Sequence, residues 1–125
     1  MVDDDALMRE LLAEWLSEAG YRVRQAENGA NALRMLRSRP AALLITDMDM
    51  PGRDGAQTLD DARRMLPGLA VIAISGGARD GRQNWAATAL KLGAAKALAK
   101  PFERHDLLAA VEEVVPRDKS GAVHV

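Results

Sequence analysis

Apolar positions along this chain alternate between two rhythms, one helical and one extended. Met8, Leu11, Leu12, Trp15, Leu16 and Ala19 recur at helical spacing, so a helix is expected over Ala6 to Ala19. Asp4 or Asp5 can cap its start and Gly20 can end it. Tyr21 to Ala26 alternates, Tyr21, Val23 and Gln25 against Arg22 and Arg24, which is the pattern of a short strand. After the turn signal Asn28-Gly29, a helix is expected over Asn31 to Ser38, with Ala32, Leu33 and Leu36 on one face and Pro40 beyond its end. Ala41 to Thr46 is a short apolar run, the look of a buried parallel strand. A loop rich in Asp, Pro and Gly follows from Asp47 to Gly55, then a weaker helix from Thr58 to Leu66, stopped by Pro67-Gly68. Leu69 to Ile74 is a second apolar strand. A helix over Asn84 to Leu92 closes at Gly93, a third strand covers Ala95 to Ala99, and His105 to Val115 is an amphipathic helix ended by Pro116. Pro116 to Gly121 is polar, and Ala122 to Val125 is a short apolar tail.

Strands alternating with helices imply a parallel sheet covered on both faces, with the functional site outside the carboxyl ends of the strands. The length of 125 residues suits one domain. With only four aromatic residues, the core must come from Leu, Val, Ile, Met and Ala. Net charge is −1, with positive and negative residues interspersed along the chain, so nothing marks a nucleic-acid binder. The absence of cysteine excludes disulfides and thiolate metal sites. No apolar run approaches the roughly 18 residues of a membrane span, and the acidic N-terminus does not resemble a secretory signal. A cytoplasmic location is expected.

Chemistry-bearing residues collect at the ends of these elements. Asp3 and Asp4 precede the first helix, Asp47 follows Ile45-Thr46, Ser75 follows Val71 to Ile74, and Lys100 follows Leu98-Ala99. In a parallel sheet all reach one edge. Converging carboxylates repel, and a hard cation such as Mg²⁺ relieves that repulsion. An ionised aspartate can attack phosphorus to form an acyl phosphate. A metal and a lysine ammonium can neutralise the transferring group, and a serine hydroxyl can hydrogen-bond the product. Singly, each residue has an ordinary reading. Asp3 to Asp5 suit helix capping, Asp47 and Ser75 suit turns, and Lys100 suits a solvated surface. Met48 and Met50 suit packing, and neither His105 nor His124 has a partner at metal-ligand spacing. The coincidence of five such residues at element ends favours a site.

Taken together, Val2-Asp3-Asp4-Asp5, Ile45-Thr46-Asp47-Met48-Asp49-Met50-Pro51-Gly52 through Asp54-Gly55, Ile74-Ser75-Gly76, and Leu92-Gly93-Ala94 through Lys100-Pro101-Phe102 resemble the receiver domains of two-component response regulators. The resemblance runs from residue 2 to about 115. It implies a CheY-like, flavodoxin-like doubly wound α/β fold with strand order 2-1-3-4-5, the topology for which that protein is a standard case. It matches Asp47 to the phospho-acceptor, Asp4 to the direct metal carboxylate, Asp3 to a carboxylate acting through water, and Asp49 to a backbone-carbonyl metal ligand. Ser75 matches the hydroxyl switch residue and Lys100 the site lysine. Lys100-Pro101 would be a cis peptide in such a fold.

Two departures accompany the resemblance. Ala97 stands where the family usually carries a switching Tyr or Phe. The family also begins with an apolar run that forms the central strand, whereas only Met1 and Val2 precede Asp3, so the first strand is largely missing from this sequence. The slot can be filled by a run preceding Met1, or by Ala122 to Val125 returning from this chain or a neighbour's. Disorder is the commoner fate of a C-terminal tail. The expected organisation is a receiver domain over 1–116 and a tail over 117–125 that can form a short strand.

The resulting expectation is a Mg²⁺-dependent switch that takes a phosphoryl group on Asp47 from a sensor histidine kinase or phosphotransfer protein and is read by a downstream protein. It would not be an enzyme beyond self-phosphorylation from a donor and slow autodephosphorylation. No nucleic acid or membrane partner is expected, and a homodimer is open. The rivals are a pseudo-receiver scaffold that never takes phosphate and a hydrolase using the same acids, for which no separate general acid or substrate loop is visible.

Overall fold

The computed structural model describes residues 6–26, 29–39, 41–47, 55–75, 89–91, 93–99, 102–115 and 122–124. In chain order these form α1 (Ala6–Glu18), β1 (Arg22–Arg24), α2 (Gly29–Ser38), β2 (Leu43–Asp47), α3 (Gly55–Met65), β3 (Ala70–Ser75), β4 (Lys96–Ala99), α4 (Arg104–Val114) and β5 (Ala122–His124). Residues 89–91 are also helical. The alternating pattern therefore gives alternating elements. Two boundaries move in a way that matters for the site. Asp47, expected to open a loop, is the last residue of β2, and Ser75, also expected in a loop, is the last of β3. The cause is ladder pairing that outruns the apolar runs: β2 with β3 continues to the Asp47↔Ile74 pair, and β3 with β4 to the Ser75↔Ala99 pair.

Every strand pair is parallel, and the sheet order is β1-β5-β2-β3-β4. This is the doubly wound order implied by the resemblance, with one substitution. The slot between β1 and β2 holds β5, formed by residues 122–124. Arg22, Val23 and Arg24 pair with Ala122, Val123 and His124 on one side. Leu43 and Leu44 pair with Val123 and His124 on the other. Each buried, unpaired backbone group costs about 1–3 kcal/mol. An empty slot would leave two facing rows of such groups, which explains why so short a segment is drawn in.

The faces of the sheet carry separate cores, as period-2 strands under helices require. On one face Leu43, Ile45, Ile72 and Ile74 meet Leu12 and Leu16 of α1 and Leu107 and Val111 of α4. On the other, Leu44, Val71 and Ala73 meet Leu33 and Leu36 of α2 and Leu59 and Ala62 of α3, with Ala89 joining them. All five residues of β2 are buried, the mark of a strand covered on both sides. Among the described residues the buried apolar core is Leu, Ile, Val and Ala with Tyr21. Met8, Met35 and Met65, expected inside, pack only at its margins.

Two glycines stop helices where the sequence suggested. Gly20 has φ +100°, and its N–H donates to the Ser17 carbonyl while that of Tyr21 reaches back to Leu16. Gly93 has φ +108°, with the same pair of bonds from Gly93 to Leu90 and from Ala94 to Ala89. Both are Schellman closures, in which the left-handed residue favours glycine. At the start of α4, the Glu103 N–H donates to the Asp106 carboxylate at 3.0 Å, which satisfies an amide that precedes the helix.

Candidate functional site

The site is built at the carboxyl edge of the sheet. β2 ends in Asp47, whose side chain lies in a residue only 3% exposed, beside the fully buried Thr46. A carboxylate is seldom so enclosed without partners, and Asp47 has interactions of its own within the fold. The Thr46 hydroxyl lies 3.4 Å from the Asp47 carbonyl oxygen, too long to be a strong bond.

Register aligns the neighbouring strands with Asp47. Asp47 pairs with Ile74, and Ile74 with Leu98. One residue further, Ser75 pairs with Ala99, the residue that immediately precedes Lys100. Adjacent strands lie about 4.8 Å apart. The backbones that carry Asp47 and Ser75 are therefore immediate neighbours, and β4 ends one strand further on. The α3 helix begins at Gly55, and Thr58 in its first turn is fully buried. Patterning did not single out Thr58. Its one available signal was a polar residue on an otherwise apolar helix face.

The α1 helix ends at Glu18, and only residues 19–21 separate it from β1, which begins at Arg22. It therefore returns across the sheet ahead of β1, and its first turn lies on the side where the strands end. Asp3 and Asp4 precede that turn but lie outside the described residues, as do Asp49 and Lys100, the Lys100-Pro101 peptide, and the helix expected before residue 89. Of the residues assigned to the site from the sequence, the structure thus places Asp47 in full and Ser75 by its backbone. Among the described residues no group of three or more His, Cys, Asp or Glu side chains is gathered for a metal, and Asp47 is the one assigned ligand within that set. Ala97, in the place of a switching aromatic, is half-buried and pairs with Ala73. His105 is exposed near Glu103 and Asp106, at 3.4 Å from each. No helix among the described residues is long and apolar enough to cross a membrane.

Comparison with known proteins adds to this geometry. The family model described as the response regulator receiver domain matches residues 1–112. The response regulator receiver protein CpdR of Brucella abortus is 35% identical over 120 residues, covering 92% of this chain and 93% of that protein. Longer relatives, DNA-binding transcriptional regulators among them, are 34% identical, and this chain spans 24% of their length. Among solved structures, the receiver domain of NtrX from Brucella abortus superposes with a TM-score of 0.83 at 32% identity, covering 95% of this chain and 97% of that one. A response regulator from Burkholderia pseudomallei, solved with a phosphorylated aspartic acid, a calcium ion and citrate, superposes with a TM-score of 0.77 at 28% identity, covering 87% of this chain and 62% of that one.

Proposed function

Because the chain belongs to the response regulator receiver domain family, we propose that it is a phosphorylation-controlled signalling switch whose phospho-acceptor is Asp47. The observation that carries this reading is the buried Asp47 carboxylate at the end of β2, in register with the strand ends that carry Ser75 and lead into Lys100. A carboxylate in that place is enclosed by its own fold yet faces the edge where a ligand arrives.

The chemistry uses few groups. An oxygen of the ionised Asp47 attacks the phosphorus of the donor and forms an O–P bond. The bond from phosphorus to the donor atom, an imidazole nitrogen when the donor is a phosphohistidine, breaks, and its electron pair leaves with that atom. The Lys100 ammonium offers a positive charge to the phosphoryl oxygens, and the Ser75 hydroxyl donates a hydrogen bond to one of them. The candidate metal donors are the carboxylates of Asp3, Asp4 and Asp47 and the backbone carbonyl of Asp49, an all-oxygen set that suits Mg²⁺. Bound Mg²⁺ would supply further charge neutralisation on the transferring group. The phosphorylated aspartic acid and calcium ion in the Burkholderia pseudomallei regulator support this assignment by analogy.

The proposed donors are a sensor histidine kinase or a phosphotransfer protein, the reader is a downstream protein, and the location is the cytoplasm. With Ala97 in place of a ring, the response to phosphate runs through Ser75 and the segment after it. The test is intact-protein mass spectrometry after incubation with acetyl phosphate and Mg²⁺. One hydroxylamine-sensitive phosphoryl adduct per chain is expected. No adduct would replace the switch with a scaffold that never takes phosphate, and rapid turnover of added phosphoesters would indicate a hydrolase. Lys100→Ala should keep metal binding and lose much of the activating response.

A further inference from the structure

Charges that interleave along the sequence separate in the fold. The α1 helix carries Glu10, Glu14 and Glu18 against Arg9, and α4 carries Asp106, Glu112 and Glu113 against Arg104. Both helices cover the same face of the sheet. On the opposite face α2 carries Arg34 and Arg37 with no acidic residue, and Arg39 follows it. Arg24 of β1 joins them, its guanidinium donating to the Arg39 carbonyl at 2.7 Å. Burial, and then the nearby Arg39 charge, hold its pKa below the ordinary arginine value. Among the described residues the face under α1 and α4 is thus acidic and the face under α2 basic, with Asp60 and Asp61 of α3 on the basic side balanced by Arg63 and Arg64.

The basic face also has a shape. Where α2 meets α3 an open cleft of about 620 Å³ is lined by Arg34 and Arg37 of α2 and by Asp61 and Arg64 of α3, with the buried Leu33 and half-buried Met65 as its apolar floor. Leu33 belongs to the buried core, so the floor is fixed, whereas the three arginines are exposed. Arg64 is held at 3.1 Å by Asp60 one turn earlier, an exposed pair of small energy that a competing carboxylate can exchange.

We propose that this α2–α3 cleft is a docking site for an acidic segment of a partner protein, one that sets an apolar side chain between carboxylates. The apolar side chain would sit over Leu33 and Met65, and the carboxylates would meet the planar guanidinium groups of Arg34 and Arg37, which suit two-point recognition of a carboxylate. A protein segment fits better than nucleic acid. Asp60 and Asp61 stand within the basic surface, no aromatic side chain among the described residues borders the cleft for a base to stack on, and an apolar floor does nothing for a phosphate backbone. The contact lies outside the Asp47 site and does not depend on phosphate chemistry there.

The test uses the full chain and a fluorescein-labelled peptide of repeated Glu-Glu-Leu units, measured by anisotropy. Binding should weaken as salt rises. The double variant Arg34→Gln, Arg37→Gln should bind about tenfold more weakly. Arg9→Gln, Arg104→Gln, on the opposite face, should remain within about twofold of the parent. Replacing Leu by Ser in the peptide should also weaken it, since the floor then loses its occupant. Arg34, Arg37 and Arg104 are exposed and Arg9 is half-buried, so thermal melts of every variant are compared with the parent, and matching melts would confirm that the variants fold alike. Absence of peptide binding, equal losses in the two double variants, or indifference to the Leu replacement would each overturn the proposal. So would tighter binding of a single-stranded oligonucleotide of equal charge, which would assign the face to nucleic acid. Sedimentation showing oligomers of the protein alone that depend on Arg34 and Arg37 would assign the cleft to a second copy and overturn it too.

Discussion

The phenol of Tyr21 donates a hydrogen bond to the carbonyl of Val115 at 2.9 Å, joining residues 94 positions apart. Tyr21 immediately precedes β1, and Val115 immediately follows α4. The bond therefore pins the exit of α4 beside the entry of β1. The pairing of Arg22 with Ala122 places β5 at the same spot, so residues 116–121 need only a short span to bring the chain from one to the other.

Tyr21→Phe should keep the ring in the core and leave the Val115 carbonyl without this donor. Both residues are 6% exposed, so water replaces the bond poorly. A loss of about 1–2 kcal/mol is expected, seen as a fall in Tm of about 4–8 °C. An unchanged melting temperature would mean that the bond contributes nothing net.

Deleting residues 121–125 should cost far more. β1 and β2 would both lose their common neighbour, and β2 is buried on both faces. With about 1–3 kcal/mol at stake for each buried group left unpaired, the truncated chain should lose most of a total stability of about 5–15 kcal/mol. Circular dichroism melts and hydrogen exchange at Val23 and Leu44 would report it. Retention of the parent's Tm would show that β5 is dispensable.

Asp47→Asn should abolish phosphoryl incorporation from acetyl phosphate while leaving the fold in place. The amide has nearly the same shape but lacks the nucleophilic anion. The measurement is adduct mass together with a thermal melt. Labelling at the parent's rate would move the acceptor elsewhere.

Gly93→Ala should destabilise by about 1–3 kcal/mol. The φ of +108° is one that L side chains rarely adopt, and an added Cβ would lie 2.8 Å from Nε of Arg63. That guanidinium donates to the carbonyls of Pro67 at 3.0 Å and Leu69 at 2.7 Å. The substitution would thus disturb both the helix stop and the turn leading into β3. Chemical denaturation would show a lower midpoint, and Gly93→Asn should recover part of the loss, because asparagine tolerates positive φ better than alanine.

Much of this was legible from local pattern. Leu12, Leu16, Leu36, Leu107 and Val111 all lie where helical spacing puts them, because burial of one stripe determines each helix face. Asp47 stood out because it closes an apolar run in company with Asp3, Asp4, Ser75 and Lys100 at other element ends, whereas alone it reads as a turn residue. Two things were not legible, and a third only in part. The membership of Asp47 and Ser75 in strands depends on how far a partner strand extends, which neither residue encodes. A three-residue strand such as β5 has no periodicity to detect, so Ala122 to Val125 could be read only as one candidate for the open slot beside a disordered tail, and its place is settled by β1 and β2, far away in sequence. The sorting of charge between faces appears only once each helix has been assigned to a side of the sheet, since Glu14 and Arg34 look equally solvated along the chain.

The position of β5 also bears on the order in which the molecule can be assembled. Its pairing joins Arg22 to Ala122, a separation of 100 residues. Closing so long a loop adds little equilibrium cost, since the penalty grows only with the logarithm of length, but it is slow and comes late. During synthesis at roughly 5–20 residues per second, the 75 residues from 48 to 122 take on the order of 4–15 s to appear. For that interval the two halves of the nascent sheet share an open seam. The emerging chain must keep that seam from pairing with other strands until residues 122–124 leave the ribosome.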